Sequence, residues 1–281
     1  MKYALVVSVA KTKFGPIVFK GDLEENINKV KKAGYDAVEL AVRQPELVDV
    51  IKVKKLLEKN KLNVLTFGTG QIFFDEGLSF SDARSYIREN AVERTKAIIE
   101  LASNFNSAVI IGLIRGKIEQ SDNFAEDLSM AEKNIAECLQ KCLIFSERFS
   151  TNFFVEPINR YETNIFNRID EINNFIESYK EKLDLNRIGI LADTFHMNIE
   201  EPSITVSLEE NFKHIKEIHF ADSNRWAPGY GHIDFKEIYK VLKNNEYSGF
   251  ISFEMLPNPD PDTAAKKALE FSKKIENEVF I

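Results

Sequence analysis

Along the whole chain, short apolar runs alternate with longer segments whose apolar residues recur every three to four positions. This alternation limits the possible folds more than any other feature of the sequence. Eight runs read as strands, at residues 3–9, 36–40, 63–67, 108–112, 153–156, 188–193, 217–221 and 250–254. They are rich in Val, Ile and Phe and show little apolar–polar alternation, the pattern of parallel strands covered on both faces. Helical stripes lie between them. The first, Leu23, Ile27, Val30 and Gly34, opens with Asp22 and Glu25 at capping-box spacing. The clearest is Ala131, Ile135, Cys138, Cys142, Phe145 and Phe149. Others run through Ile172, Phe175, Ile176 and Tyr179, through Phe235, Ile238 and Leu242, and through Ala264, Ala265, Ala268, Leu269 and Ile275.

Eight βα units in a chain of 281 residues predict an α/β fold, a closed (β/α)8 TIM barrel. A doubly wound open sheet is the rival, but no G-x-G-x-x-G fingerprint follows the first run. Gly68-Thr69-Gly70 leads on to Gln71-Ile72-Phe73 and reads as a turn, not as a helix N-terminus that cradles phosphate. No Pro-, Gly- or Ser-rich linker divides the chain, so a single catalytic domain over residues 1–281 is expected.

Composition narrows the partners. Asp and Glu number 44 against 37 Lys and Arg, a net charge of −7, which argues against nucleic acid as the main partner. No apolar run reaches the ~18 residues that a membrane span needs. The apolar residues 3–10 read as a first buried strand, not as an export signal. Two cysteines, Cys138 and Cys142, cannot form a disulfide framework and fall on a core stripe. A reducing cytoplasm is the expected location.

In a barrel of this type the site forms at the C-terminal ends of the strands. There the fifth to eighth runs carry Glu156, Asp193, His219 and Glu254, separated by 37, 26 and 35 residues. Taken singly, a strand-end carboxylate is more often a helix cap or an ion-pair partner, and a lone histidine more often belongs to the core. Four residues of metal-ligand type at matched ends of consecutive strands point instead to one divalent metal ion. Three carboxylates and an imidazole suit Mn2+, Co2+ or Mg2+ better than a structural zinc. The stretches 156–163 and 221–232 are long loops whose Asn, Arg, Trp and Glu suit sugar binding. Arg115 and Lys117 either meet a substrate carboxylate or are solvated loop cations. His214 reads as surface, and His232 either touches substrate or orients its loop.

Specific motifs then resemble a known group. Glu156-Pro-Ile-Asn-Arg-Tyr-Glu162-Thr, Asp193-Thr-Phe-His196-Met-Asn, His219-Phe-Ala-Asp-Ser-Asn-Arg225, Gly229-Tyr-Gly-His232-Ile-Asp-Phe and Phe253-Glu254 are similar to motifs of the xylose-isomerase-like TIM barrels, and within them of the ketose 3-epimerases. Thr-Gly-Gln at 69–71 and residues 191–201 are most similar to the 5-keto-L-gluconate epimerases of inositol catabolism. The resemblance covers the whole chain. It implies a divalent ion on Glu156, Asp193, His219 and Glu254, with Glu156 and Glu254 also the proton-transfer pair. It further implies that Glu162, His196 and Arg225 contact substrate oxygens.

The implied reaction inverts the carbon next to the ketone of a keto-sugar or keto-sugar acid through a cis-enediolate, for example 5-keto-L-gluconate to D-tagaturonate. Inversion needs one base on each face of a planar intermediate, and two carboxylates meet that need. Alternatives at the same site are 3-epimerisation of a free ketose and aldose–ketose isomerisation. An abasic-site endonuclease shares the fold but needs more histidines than the four present and a basic cleft. A sugar-binding barrel without catalysis would need no paired bases. The lack of a glycine-rich helix start argues against a sugar phosphate. Members of the group are often oligomers, so a homo-oligomer is possible.

Overall fold

A computed structural model describes residues 1–119 and 122–280. The strands are β1 (Lys2–Ser8), β2 (Phe19–Lys20), β3 (Ala37–Ala41), β4 (Asn63–Gly68), β5 (Ala108–Ile111), β6 (Phe153–Val155), β7 (Ile188–Asp193), β8 (Ile215–Phe220) and β9 (Phe250–Phe253). Every pairing is parallel, and β9 returns to pair with β1, so eight strands close into a barrel in the order β1-β3-β4-β5-β6-β7-β8-β9. All eight expected runs are found. The added element is β2, a two-residue strand that pairs with the end of β1, beyond the residues that pair with β9, with Val7 opposite Phe19. It is too short to register as an apolar run.

The helices are α1 (Leu23–Ala33), α2 (Val50–Asn60), α3 (Gly70–Glu76), α4 (Ser85–Ser103), α5 (Phe124–Ser146), α6 (Ile169–Ser178), α7 (Thr194–Glu200), α8 (Ile204–Asn211), α9 (Phe235–Asn244) and α10 (Pro261–Phe280). Local chemistry sets their ends. Asp22 caps α1 by accepting from the Glu25 amide at 2.9 Å, and Gly34 closes it in the left-handed region at φ 96°. The expected turn at Gly68-Thr69-Gly70 is instead the start of α3, a correction. Thr69 contributes no side-chain cap there, so the start signal that the sequence would have shown is missing. With seven residues, this helix is no phosphate cradle.

The core lies between the barrel and its helices. Cys138 and Cys142 are buried and unpaired on the inner face of α5, as expected. Among the described residues, no helix is long and apolar enough to cross a membrane. His214 is exposed, as expected.

Candidate metal centre and active site

The four strand ends meet at the C-terminal mouth of the barrel. Asp193 ends β7, His219 lies in β8 with Asp193 opposite it in register, and Glu156 and Glu254 follow β6 and β9 by one residue. One ligand atom from each of the four lies within 4.8 Å of every other. His219 Nδ1 stands 3.7 Å from Asp193 Oδ2 and 3.9 Å from Glu156 Oε1. These three atoms are buried and have no hydrogen-bond partner. Buried anionic oxygens and an imidazole lone pair left unsatisfied are costly, and a divalent cation would satisfy all of them at once. The residues present therefore fit such an ion.

Asp193 reconciles the two readings of a strand-end carboxylate. Its Oδ1 caps α7, accepting from the amides of Phe195 at 2.7 Å and His196 at 3.2 Å, while Oδ2 is left for the cluster. Glu156 depends on a glycine. A Cβ on Gly112, one residue past β5, would fall 2.8 Å from Glu156 Oε2, closer than real Cβ contacts allow. Any side chain at this position would require the carboxylate to shift from its present place.

The electrostatics reflect crowded like charges. Burial, and then the Glu254 charge, push the Glu156 carboxyl well above the usual carboxylate range. Burial raises Asp193 as well. Glu254 is pushed up to about 7, again chiefly by burial, with Arg225 pulling the other way. For His219 burial favours the neutral ring, but Glu39, Glu156 and Glu217 outweigh it and raise its pKa well above the ordinary value.

Glu162, His196 and Arg225 line the same cavity as Glu156, His219 and Glu254. The Arg225 guanidinium joins the two remote carboxylates, with Nη1 donating to Glu162 Oε1 at 2.7 Å and Nη2 to Glu254 Oε2 at 2.8 Å. It packs 4.8 Å from the Phe195 ring centroid. Burial first, and then Arg225, hold the His196 pKa well below its usual value, so the ring is neutral. Its Nδ1 receives Asn159 Nδ2 at 2.8 Å and the Asn159 amide at 3.4 Å. The ring hydrogen is thereby assigned to Nε2, which faces Glu156 Oε1 at 3.8 Å.

Other expectations need correcting. Arg115 is neither solvated nor aimed at a substrate. It is 1% exposed, and its guanidinium donates to the backbone carbonyls of Glu156 at 2.5 Å, Gly112 at 3.2 Å, Ile165 at 3.3 Å and Phe166 at 3.4 Å. It ties together the loops that follow β5 and β6. Lys117 is the solvated alternative, exposed and 3.6 Å from Glu119. Trp226 packs beside Tyr230, with ring centroids 6.0 Å apart, and lies outside the cavity lining. His232 is exposed and also lies outside that lining. The loop that carries both is organised by Asp222, which accepts from the amides of Ser223, Gly229 and Ile233.

The aromatic wall comes from Phe14, in the segment between β1 and β2, with Leu113 and Ile158 beside it. Phe14 carried no sequence signal, because its segment is short and its neighbours are Lys and Gly. Glu39 was also passed over. A signal existed: a lone acidic residue inside the buried apolar strand Ala37–Ala41.

Comparison with known proteins follows the same lines. A 3-dehydro-D-guloside 4-epimerase of Escherichia coli (strain K12) is 25% identical over 259 residues, 89% of this chain and 94% of that one. A probable ketose 3-epimerase of Synechocystis sp. is 27% identical over 277 residues, 92% of this chain and 89% of that one. The crystal structure of a 3-keto-D-glucoside 4-epimerase from E. coli in its apo form superposes with a TM-score of 0.80 at 22% identity, covering 97% of this chain and all (100%) of that one, a likeness of fold. The family model described as xylose isomerase-like TIM barrel matches residues 27–275, and the chain, with its closed parallel barrel, belongs to that family.

Proposed function

We propose that this chain is a divalent-metal-dependent epimerase that inverts the carbon beside the ketone of a keto-sugar. One observation carries the reading. Glu156, Asp193, His219 and Glu254 converge to within 4.8 Å at the C-terminal ends of consecutive strands, with three of their ligand atoms buried and unpartnered. The epimerases among its relatives support it.

Glu156, Asp193, His219 and Glu254 would hold the ion. When bound, a divalent ion supplies Lewis-acid stabilisation of the negative charge that builds on the substrate's carbonyl oxygen. The protein's own residues move the protons. Glu156 and Glu254 follow strands three places apart around the eight-strand ring, so they approach a bound sugar from different sides. One takes the proton from carbon and leaves a planar enediolate, and the other delivers a proton to the opposite face. Because Glu156 Oε1 turns toward the cluster, Oε2 is the atom left for proton transfer. Arg225 fixes Glu254 through Oε2 and so leaves Oε1 free. The neutral His196 offers its Nε2 hydrogen to a substrate oxygen, and Glu162, held by Arg225 and Asn159, accepts from a substrate hydroxyl.

The substrate is a keto-sugar or its acid, and 5-keto-L-gluconate, giving D-tagaturonate, is the first candidate acid. With Arg115 withdrawn into the loops, Arg225 is the one Lys or Arg side chain in the described cavity lining for a carboxylate. No cluster of cations suits a phosphate dianion. The test is a panel of free ketoses, keto-aldonates and ketose phosphates incubated with Mn2+ and followed by NMR. Epimer formation from unphosphorylated keto-sugars is expected. Turnover confined to phosphates, or exchange of aldose for ketose without inversion, would overturn the assignment.

A further inference from the structure

Glu39 is a buried acid that the proton-transfer scheme leaves unused. It sits in β3 at 2% exposure, between Val38 and Leu40 in a strand otherwise apolar. Its Oε2 lies 2.8 Å from His219 Nε2 and also accepts the Ser252 hydroxyl at 3.3 Å. His219 and Ser252 are register partners on β8 and β9. In the ring, β9 and β1 separate β8 from β3, so the Glu39 carboxylate reaches His219 through the barrel interior and not along a strand edge. On the far side of the same imidazole, Nδ1 has no partner and faces Asp193 Oδ2 and Glu156 Oε1.

An imidazole offers a metal a lone pair only from the nitrogen that lacks hydrogen, and the partner of the other nitrogen decides which one that is. An acceptor at Nε2 keeps the hydrogen there. We propose that Glu39 is the positioning residue of the cation site, holding His219 as the Nε2–H tautomer, fixing the ring plane and strengthening Nδ1 as a donor. The inference rests on reading the four-residue cluster as a cation site. It does not depend on which sugar is turned over.

The test uses chelator-stripped full-length protein and Mn2+ alone as the probe, with the dissociation constant measured by competition with a chromophoric chelator. Glu39→Leu, which removes acceptor and charge, is expected to weaken binding about 10- to 100-fold. Glu39→Gln keeps an oxygen that can accept the Nε2 hydrogen and should fall between wild type and Glu39→Leu. In metal-free, 15N-histidine-labelled wild type, taken to a pH at which the His219 ring has lost its second proton, NMR should report the remaining hydrogen on Nε2, the resonance being assigned by its loss in His219→Asn. A folded Glu39→Leu that binds Mn2+ within twofold of wild type overturns the proposal, as does an Nδ1–H tautomer in the wild type. If Glu39→Leu does not fold, Glu39→Gln and the wild-type spectrum decide. Wild type that binds no Mn2+ overturns the cation site itself, whereas Mn2+ binding without epimerase activity leaves the role of Glu39 standing and removes only the assigned reaction.

Discussion

Replacing Arg115 with Met should destabilise the barrel strongly while treating charged and uncharged substrates alike. Met fills much of the same volume without a donor, so the perturbation is the loss of hydrogen bonds to buried carbonyls. Four accept from the guanidinium. Gly112 keeps a second partner, the Arg115 amide at 3.1 Å, which leaves those of Glu156, Ile165 and Phe166 as the losses. An orphaned buried acceptor costs about 1–3 kcal/mol. The contact to Glu156 is short and should sit at the upper end, and the two at 3.3 and 3.4 Å near the lower. The sum is about 4–5 kcal/mol, partly offset because a buried cation no longer has to be desolvated, so a net loss of about 3–4 kcal/mol is expected. At roughly 2–4 °C per kcal/mol for a large domain, Tm should fall by about 10 °C in a calorimetric or fluorescence melt. Since Arg115 Nη2 holds the carbonyl of Glu156 itself, kcat should fall for every substrate by a similar factor. A variant that melts within 2 °C of wild type and loses activity only on keto-acids would refute this account and restore Arg115 as a carboxylate receptor.

Glu156→Gln and Glu254→Gln should each cut epimerisation by about 100- to 10,000-fold, and each should retain D2O exchange on a different epimer; wild-type product formed in D2O without deuterium at the inverted carbon would exclude the two-base scheme. Chelation should lower Tm, and the gap between Mn2+-loaded and metal-free protein should widen from pH 5 to 8. Raised folded-state pKa values at Glu156, Asp193, Glu254 and His219 give the metal-free fold stability that is present at low pH and lost as pH rises, about 3 kcal/mol for the step of Glu254 from 4.5 to about 7; melts at four pH values test the sign. Gly112→Ala should weaken Mn2+ binding, because its Cβ meets Glu156 Oε2 at 2.8 Å; unchanged affinity in a chelator competition would show that the carboxylate has another place to go.

The barrel was legible in the sequence because strands covered on both faces have to be continuous apolar runs. The cluster was legible because ligand-type residues recur at the C-terminal ends of four consecutive runs. Asp193 shows why such a signal is ambiguous one residue at a time: it is both a helix cap and a cluster member, one oxygen for each role. What escaped was set by contacts far apart in the chain. Arg115 looks like any loop cation until residues 165 and 166 fold over it. The α3 helix begins without a capping side chain. Trp226 had the right chemistry for a sugar face, but the turns that Asp222 imposes place it against Tyr230, and Phe14 takes the wall position instead.

The charge arrangement explains why these particular groups occur together. Glu156, Asp193, Glu254, Glu39 and Glu217 surround His219 in the buried mouth of the barrel, and Glu162 stands beyond Arg225. Arg225 is hydrogen-bonded to Glu254 and Glu162 and reaches the facing oxygens of Glu156 and Asp193 by no hydrogen bond. Buried like charges of this density either bind protons or bind a cation. Protons on all of them would satisfy the fold but would leave no base for the proposed reaction, whereas a divalent ion would draw off the repulsion and let one of Glu156 and Glu254 stay ionised at neutral pH while the other carries the proton to be delivered. The same cation would acidify the substrate carbon, so the condition that keeps a base ionised is also the one under which its limited basicity suffices.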